Sequence, residues 1–154
     1  MAGKVDVVDR DYFEREIKPH IDGKQIEYLG EANHAQKCEL MGGAVATLFP
    51  ITWREPFGLV MIESMATGTP VIAMELGSTP EVIVHGHTGF LCRTVDECIA
   101  AIDKVPQLNR LACREHVVKN FSVERMTDSY EAVYQRILAE RFAQNGHFRG
   151  LIRV

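Results

Sequence analysis

The sequence predicts an α/β fold, a mostly parallel sheet flanked by helices in the manner of a Rossmann-like domain. Short apolar runs alternate along the chain with longer segments rich in helix-forming residues, the order typical of parallel sheets. One apolar run, residues 44–50, ends in proline and is followed by a loop and a helix-forming segment, as a buried strand would be. The chain has 154 residues, 46% of them apolar, which is enough for one compact domain with a core.

The first forty residues predict two helices with a strand between them. Asp11 is suited to cap a helix over about residues 12–18, which a proline then stops. Residues 25–29 alternate between polar and apolar side chains and predict a short strand. Asn33 opens a second helix, which a pair of glycines closes. Residues 4–8 alternate only weakly.

The remainder of the chain continues the alternation of strands and helices. The predicted strands are 44–49, 70–73 and 90–92. The predicted helices begin near residues 59 and 79 and then span about 95–104, 108–120 and 122–145, the last of them long and amphipathic. Gly146 is expected to end the last helix, and the tail 148–154 has no clear type.

Composition and charge exclude several classes of protein. The net charge is −4 and the Lys and Arg residues are scattered, which argues against a nucleic-acid-binding surface. No apolar run approaches the length of a membrane span, and the N-terminus is not a signal peptide. The cysteines, Cys38, Cys92, Cys98 and Cys113, lack CxxC spacing and predict reduced thiols rather than disulfides or a zinc site. We expect a cytoplasmic protein, which in its full-length form is peripheral to a membrane.

The most informative stretch is the predicted turn and helix start at residues 53–63. Glu55 and Glu63 flank it, and Pro56 suits a position just ahead of a helix. Gly58 removes the side chain where we expect the backbone to be most exposed. A helix N-terminus with free N–H groups and no obstructing side chain is an anion-binding site.

The position of Glu63 extends this interpretation. It would lie about one and a half turns into the helix and lean back toward a ligand at the N-terminus. A carboxylate beside an anion site suits sugar hydroxyls, as the acidic residue of dinucleotide-binding folds suits ribose. The stretch therefore fits a diphosphate between two hydroxyl-rich groups, which describes a nucleotide-sugar. An acidic residue that merely complements the helix dipole is the alternative, and the residues alone leave both open.

These motifs resemble those of one enzyme family. Glu55-Pro-Phe-Gly-Leu-Val-Met-Ile-Glu63 resembles the Glu-x7-Glu motif of the retaining GT-B glycosyltransferases of family four, also called group 1. Residues 66–73 resemble the strand that follows it in the family, and residues 78–83 and 85–91 resemble a later donor loop and turn. The resemblance runs from about Asp11 to Leu138. It implies the C-terminal, donor-binding domain of an enzyme whose active site lies between two Rossmann-like domains.

The resemblance also implies a reaction and a set of site residues. The reaction is transfer of a sugar from a UDP-, GDP- or ADP-sugar to an acceptor, with retention at the anomeric carbon. Glu63 would bind the ribose hydroxyls and Val60 would lie near the nucleoside. Glu55 would act in the catalytic site by holding the sugar ring or its developing positive charge. The backbone facing the sugar and phosphates would be that of Phe57, Gly58 and Leu59.

Four further side chains have alternative interpretations. Glu81 either complements a helix dipole or, by the resemblance, lies in the loop that approaches the donor, where the family often has two glycines and this chain has Gly77-Ser78. His85 and His87 could suggest a metal site, but two histidines in a Gly-rich turn are more typical of a plain loop. We therefore predict no metal and no cofactor beyond the donor. Trp53 either packs on a base or sugar or has an ordinary half-buried role.

By the same resemblance, this chain lacks the first strands of the donor domain and the whole N-terminal acceptor domain, through which an acceptor sugar or lipid would bind. We therefore expect the isolated chain, treated as one domain of residues 1–154, to bind a donor without turnover. Strands at 25–29 and 44–49 would lose neighbours, so we expect either that residues 4–8 are recruited as a strand or that the chain self-associates through the exposed edge. A loose monomer that tolerates the missing neighbours is the alternative. The alternatives are a nucleotide-sugar-binding module without catalysis, a GT-B sugar-nucleotide epimerase and an α/β interaction domain.

Overall fold

The computed structural model describes residues 1–145 and shows a parallel three-stranded sheet flanked by helices. In chain order the elements are α1 (Arg10–Tyr12), α2 (His34–Gly43), β1 (Thr47–Phe49), α3 (Leu59–Ala66), β2 (Val71–Met74), α4 (Thr79–Val82), β3 (Gly89–Cys92), α5 (Val95–Ile102), α6 (Arg110–Phe121) and α7 (Val123–Asn145). The strands lie in the order β1-β2-β3, with Thr47 beside Val71 and Ile72 beside Phe90. The predicted α/β fold and the three strands predicted from residue 44 onward are confirmed.

The central strand β2 is buried on both faces. Val71 and Ala73 pack on one side with α3 and α6, in a cluster that includes Met61. Ile72 faces the other side, in a cluster with Ala101 of α5. Side chains of a strand alternate between faces, so this short apolar run fills two layers of core at once. Burying Ile72, which is 1% exposed, stabilises the fold by about 1.5–3 kcal/mol.

The predicted strand at 25–29 is wrong. The Asp22 carboxylate accepts the backbone N–H groups of residues 24–26 at 2.8–2.9 Å, and donors turned inward to one side chain cannot pair with a neighbouring strand. The next residues lie alongside the N-terminus in a parallel sense. Leu29 N–H donates to the Met1 carbonyl at 2.9 Å, and Gly3 N–H donates to the Gly30 carbonyl at 2.8 Å.

The predicted first helix is present but longer and irregular. Helical turns run from Val7 to His20 as successive 3-10, α, π and 3-10 segments. Asp11 therefore lies inside the helical segment and does not cap it. The hypothesis that residues 4–8 are recruited as a strand is also wrong, because Val7 enters the first 3-10 turn and is 79% exposed.

The later helices follow their predicted caps. Asn33 and Gln36 form the reciprocal capping box of α2, and the paired glycines lie inside its last turn rather than after it. Thr94 accepts the Glu97 N–H at the start of α5, and Ser122 accepts the Arg125 N–H at the start of α7. Gly146 and the tail 148–154 lie outside the described residues. Within the described part of the chain, no helix is both long enough and apolar enough to cross a bilayer.

Candidate functional site

The loop between β1 and α3 ends at a glycine whose backbone conformation starts the helix. Gly58 has φ 76° and ψ 68°, the left-handed region that favours glycine. A Cβ at this position would lie 2.6 Å from the Met61 Cε atom and 3.2 Å from the Glu55 Cγ atom. Gly58 is buried, so the expectation that it sits where the backbone is most exposed is wrong. Its conformation and its close packing require glycine here.

The first turn of α3 presents free donors. Met61 N–H bonds the Gly58 carbonyl at 3.0 Å. The N–H groups of Leu59 and Val60 have no acceptor within residues 1–145, and the Leu59 residue is 63% exposed. The positive end of the helix dipole adds to these donors. Free donors and a positive helix end are the chemistry that an anion site requires.

A second loop fixes the orientation of the first. Ser78 is 5% exposed; its N–H donates to the Glu55 carbonyl and its hydroxyl donates to the Phe57 carbonyl, both at 2.9 Å. Both carbonyls thereby accept a hydrogen bond from Ser78, which ties the loop before α3 to this second loop. Gly77, with φ 59°, brings this loop against the Glu55 backbone. Sequence reasoning missed this role of Ser78.

Glu55 is half-buried at the start of this turn. Its Oε2 atom accepts the indole N–H of Trp53 at 3.1 Å, which orients the carboxylate. The Trp53 side chain is 58% exposed, so the half-buried role considered for it is wrong, and its ring faces solvent beside the carboxylate. Glu81 lies in the first turn of α4, three residues beyond Ser78, and is exposed. No hydrogen bond or ion pair from its carboxylate occurs within residues 1–145.

Glu63 has a partner that the sequence did not indicate. Its Oε1 atom lies 2.5 Å from the Nζ atom of Lys37, and the two side chains are 39% and 35% exposed. Lys37 belongs to the first turn of α2, 26 residues earlier, and a pair so distant in sequence has no local signal. The ion pair joins α2 to α3 beside the anion site.

Two cavities share Lys37 in their lining. The larger, about 710 Å³, lies between residues 1–4 and β1 and is lined by Lys37 and Val60. The smaller, about 240 Å³, is lined by Lys37, Glu63 and Arg114. Val60 and Glu63 are three residues apart on α3 and thus lie on the same side of the helix. Val60 lines the larger cavity and Glu63 the smaller one, and Lys37 lines both.

The two histidines of the turn before β3 are not arranged as metal ligands. His85 Nδ1 accepts the Leu91 N–H at 3.1 Å, and the ring packs edge-on against Phe90 with centroids 5.7 Å apart. His87 is exposed. Across residues 1–145, no three His, Cys, Asp or Glu side chains converge as a metal site would require.

The buried thiols remain in their protonated form at neutral pH. Burial, with the neighbouring Cys98 adding to it, raises the pKa of Cys92 to about 11. Burial also raises the pKa of Cys113. Thiols of this kind are poor nucleophiles and metal ligands, so their contribution is packing. Cys38 is the exposed cysteine.

Comparison with known proteins supplies the family context. The profile of the family described as "Glycosyl transferases group 1" matches residues 1–120. N-acetyl-alpha-D-glucosaminyl L-malate synthase of Bacillus anthracis is 32% identical over 130 residues, which are 79% of this chain and 33% of that protein. D-inositol 3-phosphate glycosyltransferase of Mycobacterium bovis is 31% identical over 131 residues, 78% of this chain and 27% of that protein. The chain spans a third or less of the length of these curated relatives.

Solved structures share the fold. Anabaena Alr3699/HepE in complex with UDP superimposes with a TM-score of 0.71 at 21% identity, covering 88% of this chain and 40% of that one. Sucrose-phosphate synthase (tll1590) of Thermosynechococcus elongatus gives a TM-score of 0.71 at 25% identity, covering 90% and 38%. These likenesses agree with the parallel sheet predicted from the sequence.

Proposed function

This chain belongs to the group 1 glycosyl transferases, and from that membership we propose that it binds the nucleotide diphospho-sugar donor of a sugar transfer reaction. The reaction we propose retains the configuration at the anomeric carbon, as the Glu-x7-Glu resemblance implies. The donor carries a UDP, GDP or ADP group. The chain covers a third or less of the length of these relatives. Transfer to an acceptor sugar or lipid is therefore proposed for a protein in which a second domain closes the cleft.

One observation carries the proposal: the free N–H groups at the start of α3 lie between two carboxylates. Ser78 holds the loop before these donors by two hydrogen bonds of 2.9 Å, and the free donors and the positive helix end suit an anionic ligand. Glu55 lies on the loop side of these donors and Glu63 lies within the helix. A diphosphate at the donors would extend a hydroxyl-rich group toward each carboxylate.

Each site residue then has a distinct task. The backbone of Phe57, Gly58 and Leu59 faces the sugar and the phosphates, and the free N–H groups at the start of α3 stabilise the charge that develops on the leaving diphosphate. Glu63 binds the ribose, and Val60 lies against the nucleoside. Glu55, held by Trp53, binds the sugar ring or stabilises its developing positive charge. Glu81 contributes from the loop that follows Ser78. No residue is assigned as a base or nucleophile, and no metal is proposed.

Titration of the full chain by NMR with UDP, GDP and ADP and with their glucose conjugates tests the proposal. Uridine nucleotides are the first probe, because the fold relative Alr3699/HepE was crystallised with UDP and with UDP-glucose. We expect the amide signals of residues 57–61 to shift most. Glu63→Gln should weaken binding of the preferred nucleotide by about 1–3 kcal/mol, because hydrogen-bonded hydroxyls lose their acceptor charge.

Glu131→Gln is the matched control, since it removes one carboxylate from exposed α7. It should leave the affinity unchanged. Shifts that cluster away from residues 57–61, or no shifts at millimolar nucleotide, would contradict the proposed donor site.

A further inference from the structure

We propose that Lys37 positions Glu63 and makes the chain selective for a ribose over a 2′-deoxyribose in the donor nucleotide. This inference rests on the proposed function, because it assigns a further residue to the same site. Its starting observation is the ion pair between the Lys37 Nζ and Glu63 Oε1 atoms at 2.5 Å.

The ion pair lies where a nucleoside would lie. Lys37 lines both the cavity of about 710 Å³ that Val60 also lines and the cavity of about 240 Å³ that Glu63 lines. Both side chains are a little more than one-third exposed, so a ligand in the smaller cavity can reach both and a ligand in the larger cavity can reach Lys37. Lys37 therefore lies beside the nucleoside rather than on a remote surface.

The pair has unused hydrogen-bonding capacity of both kinds. Lys37 contacts the Oε1 atom, while the Oε2 atom of Glu63 has no hydrogen bond within residues 1–145. An ammonium group has three donors, and one of them is used here. The free carboxylate oxygen accepts from one hydroxyl, and a free ammonium proton donates to the neighbouring hydroxyl oxygen. A vicinal diol matches both functions, whereas a carboxylate alone offers acceptors only.

Lys37 also fixes the carboxylate before a ligand arrives. A glutamate side chain loses rotamer freedom when it binds, and that loss weakens binding. A link from α2 holds Glu63 in one conformation, so the freedom is already lost in the free protein. The two neighbouring ribose hydroxyls would be recognised by two groups held in fixed relation to each other, and a 2′-deoxyribose would leave one of these groups without its partner.

Calorimetric titration of the full chain with UDP and with 2′-deoxy-UDP tests this inference, and GDP and ADP are compared with their deoxy forms in the same way. The wild-type chain should bind the ribose form about tenfold more tightly, the effect of one hydrogen bond to a charged group. In Lys37→Met the ratio should fall to about twofold, with the affinity for the deoxy form nearly unchanged. Lys37→Arg keeps the charge and the donors and should retain most of the selectivity.

Lys119→Met is the matched control, because it removes one exposed lysine from α6. Any loss of attraction for the diphosphate in this variant acts equally on the ribose and deoxyribose forms, so the ratio of the two affinities should stay as in the wild-type chain. The affinity for the deoxy form also reports whether each variant is folded.

The outcomes separate this inference from the proposed function. A wild-type chain that binds no nucleoside diphosphate overturns the proposed function, and this inference with it. A wild-type chain that prefers the ribose form, with the same ratio in Lys37→Met, overturns only the role of Lys37. Equal weakening of the binding of both forms in Lys37→Met also overturns the role of Lys37. A purely structural or general charge effect does not change the ratio of the affinities for the ribose and deoxyribose forms.

Discussion

Gly77 shows at the residue scale how closely the two loops of the site approach. A Cβ atom there would lie 2.6 Å from the Glu55 backbone nitrogen and would also overlap its carbonyl oxygen. These are backbone atoms that cannot rotate away, and the φ of 59° adds strain for any other residue. Gly77→Ala should therefore lower the free energy of unfolding, measured by urea denaturation, by more than the left-handed conformation alone would require.

Gly86 provides the matched control for this prediction. It has a similar φ of 74°, but a Cβ atom there would meet nothing within 4 Å. Gly86→Ala should lower the free energy of unfolding by about 1–2 kcal/mol, the cost of the left-handed conformation. Gly77→Ala should exceed it by about 1–3 kcal/mol, the cost of overpacking. If the two variants lost the same free energy of unfolding, the two loops would separate at no cost, and the predicted effect of overpacking at Gly77 would be wrong.

Prediction of site residues from the sequence depended on local spacing. Glu55, Gly58 and Glu63 belong to one turn and helix, so helix geometry alone indicated how they could share a ligand. Lys37 was missed because its contact with Glu63 depends on how α2 packs against α3, which spacing does not encode. Ser78 was missed for the same reason, since its partners are the carbonyls of another loop.

At the scale of elements, Arg110 links α6 to the end of α2 and to the turn before β2. From the start of α6 its guanidinium donates to the carbonyls of Gly42 and Ala44 at 2.8 and 2.7 Å and to the Thr69 hydroxyl at 2.7 Å. These groups belong to the end of α2 and to the turn before β2. Arg110→Met should lower the free energy of unfolding by about 2 kcal/mol, because several acceptors lose a charged donor together. Chemical denaturation measures the loss.

Two further variants make the role of Arg110 specific. Arg110→Lys should recover less than half of the lost stability, since an ammonium lacks the planar fork that reaches several carbonyls. Arg125→Met removes an exposed arginine of α7 and should change the free energy of unfolding little. If Arg110→Met and Arg125→Met unfold at the same urea concentration, the three contacts contribute nothing to stability.

The elements themselves were predicted unevenly. Buried strands and capped helices carry strong local signals, so β1 to β3, α2 and α5 to α7 were found with small shifts in their ends. The strand at 25–29 failed because alternation of side chains does not reveal what the backbone donors do. Asp22 takes three consecutive N–H groups, and that local hydrogen bonding competes with sheet pairing.

At the scale of the whole molecule, the sheet described within residues 1–145 has β1 and β3 as its edge strands, and β1 is the more open of the two. The Thr47 N–H points to the Pro70 carbonyl at 2.9 Å, so the N–H and carbonyl of Leu48, the next residue, point away from β2. No strand pairs with that side of β1 within residues 1–145. Leu48 is 56% exposed and Val45 is 67% exposed. We expect self-association through this edge at about 50 µM, a range in which unpaired strand edges associate.

Sedimentation velocity checks this prediction. Leu48→Lys should shift the chain to monomer, because a lysine on an edge strand opposes pairing. Val95→Lys is the control, since Val95 is 66% exposed on α5, away from β1. The edge faces the larger cavity beside Lys37 and Val60, so added UDP should compete with a second copy and favour the monomer. A wild-type chain that sediments as a monomer, or equal effects of the two lysines, would contradict the prediction.

The opposite side of the sheet has a different chemistry, and the difference limits how many chains can join. Along the outer side of β3 the Leu91 N–H is taken by the His85 ring, and the Arg93 N–H just beyond the strand is taken by the Glu97 carboxylate at 2.6 Å. In the language of polymer chemistry, such a sheet has a functionality of one. Units with a single reactive end combine into pairs and then stop, whereas units with two reactive ends grow into ribbons. Two copies joined at β1 would leave only the blocked sides of β3 facing outward.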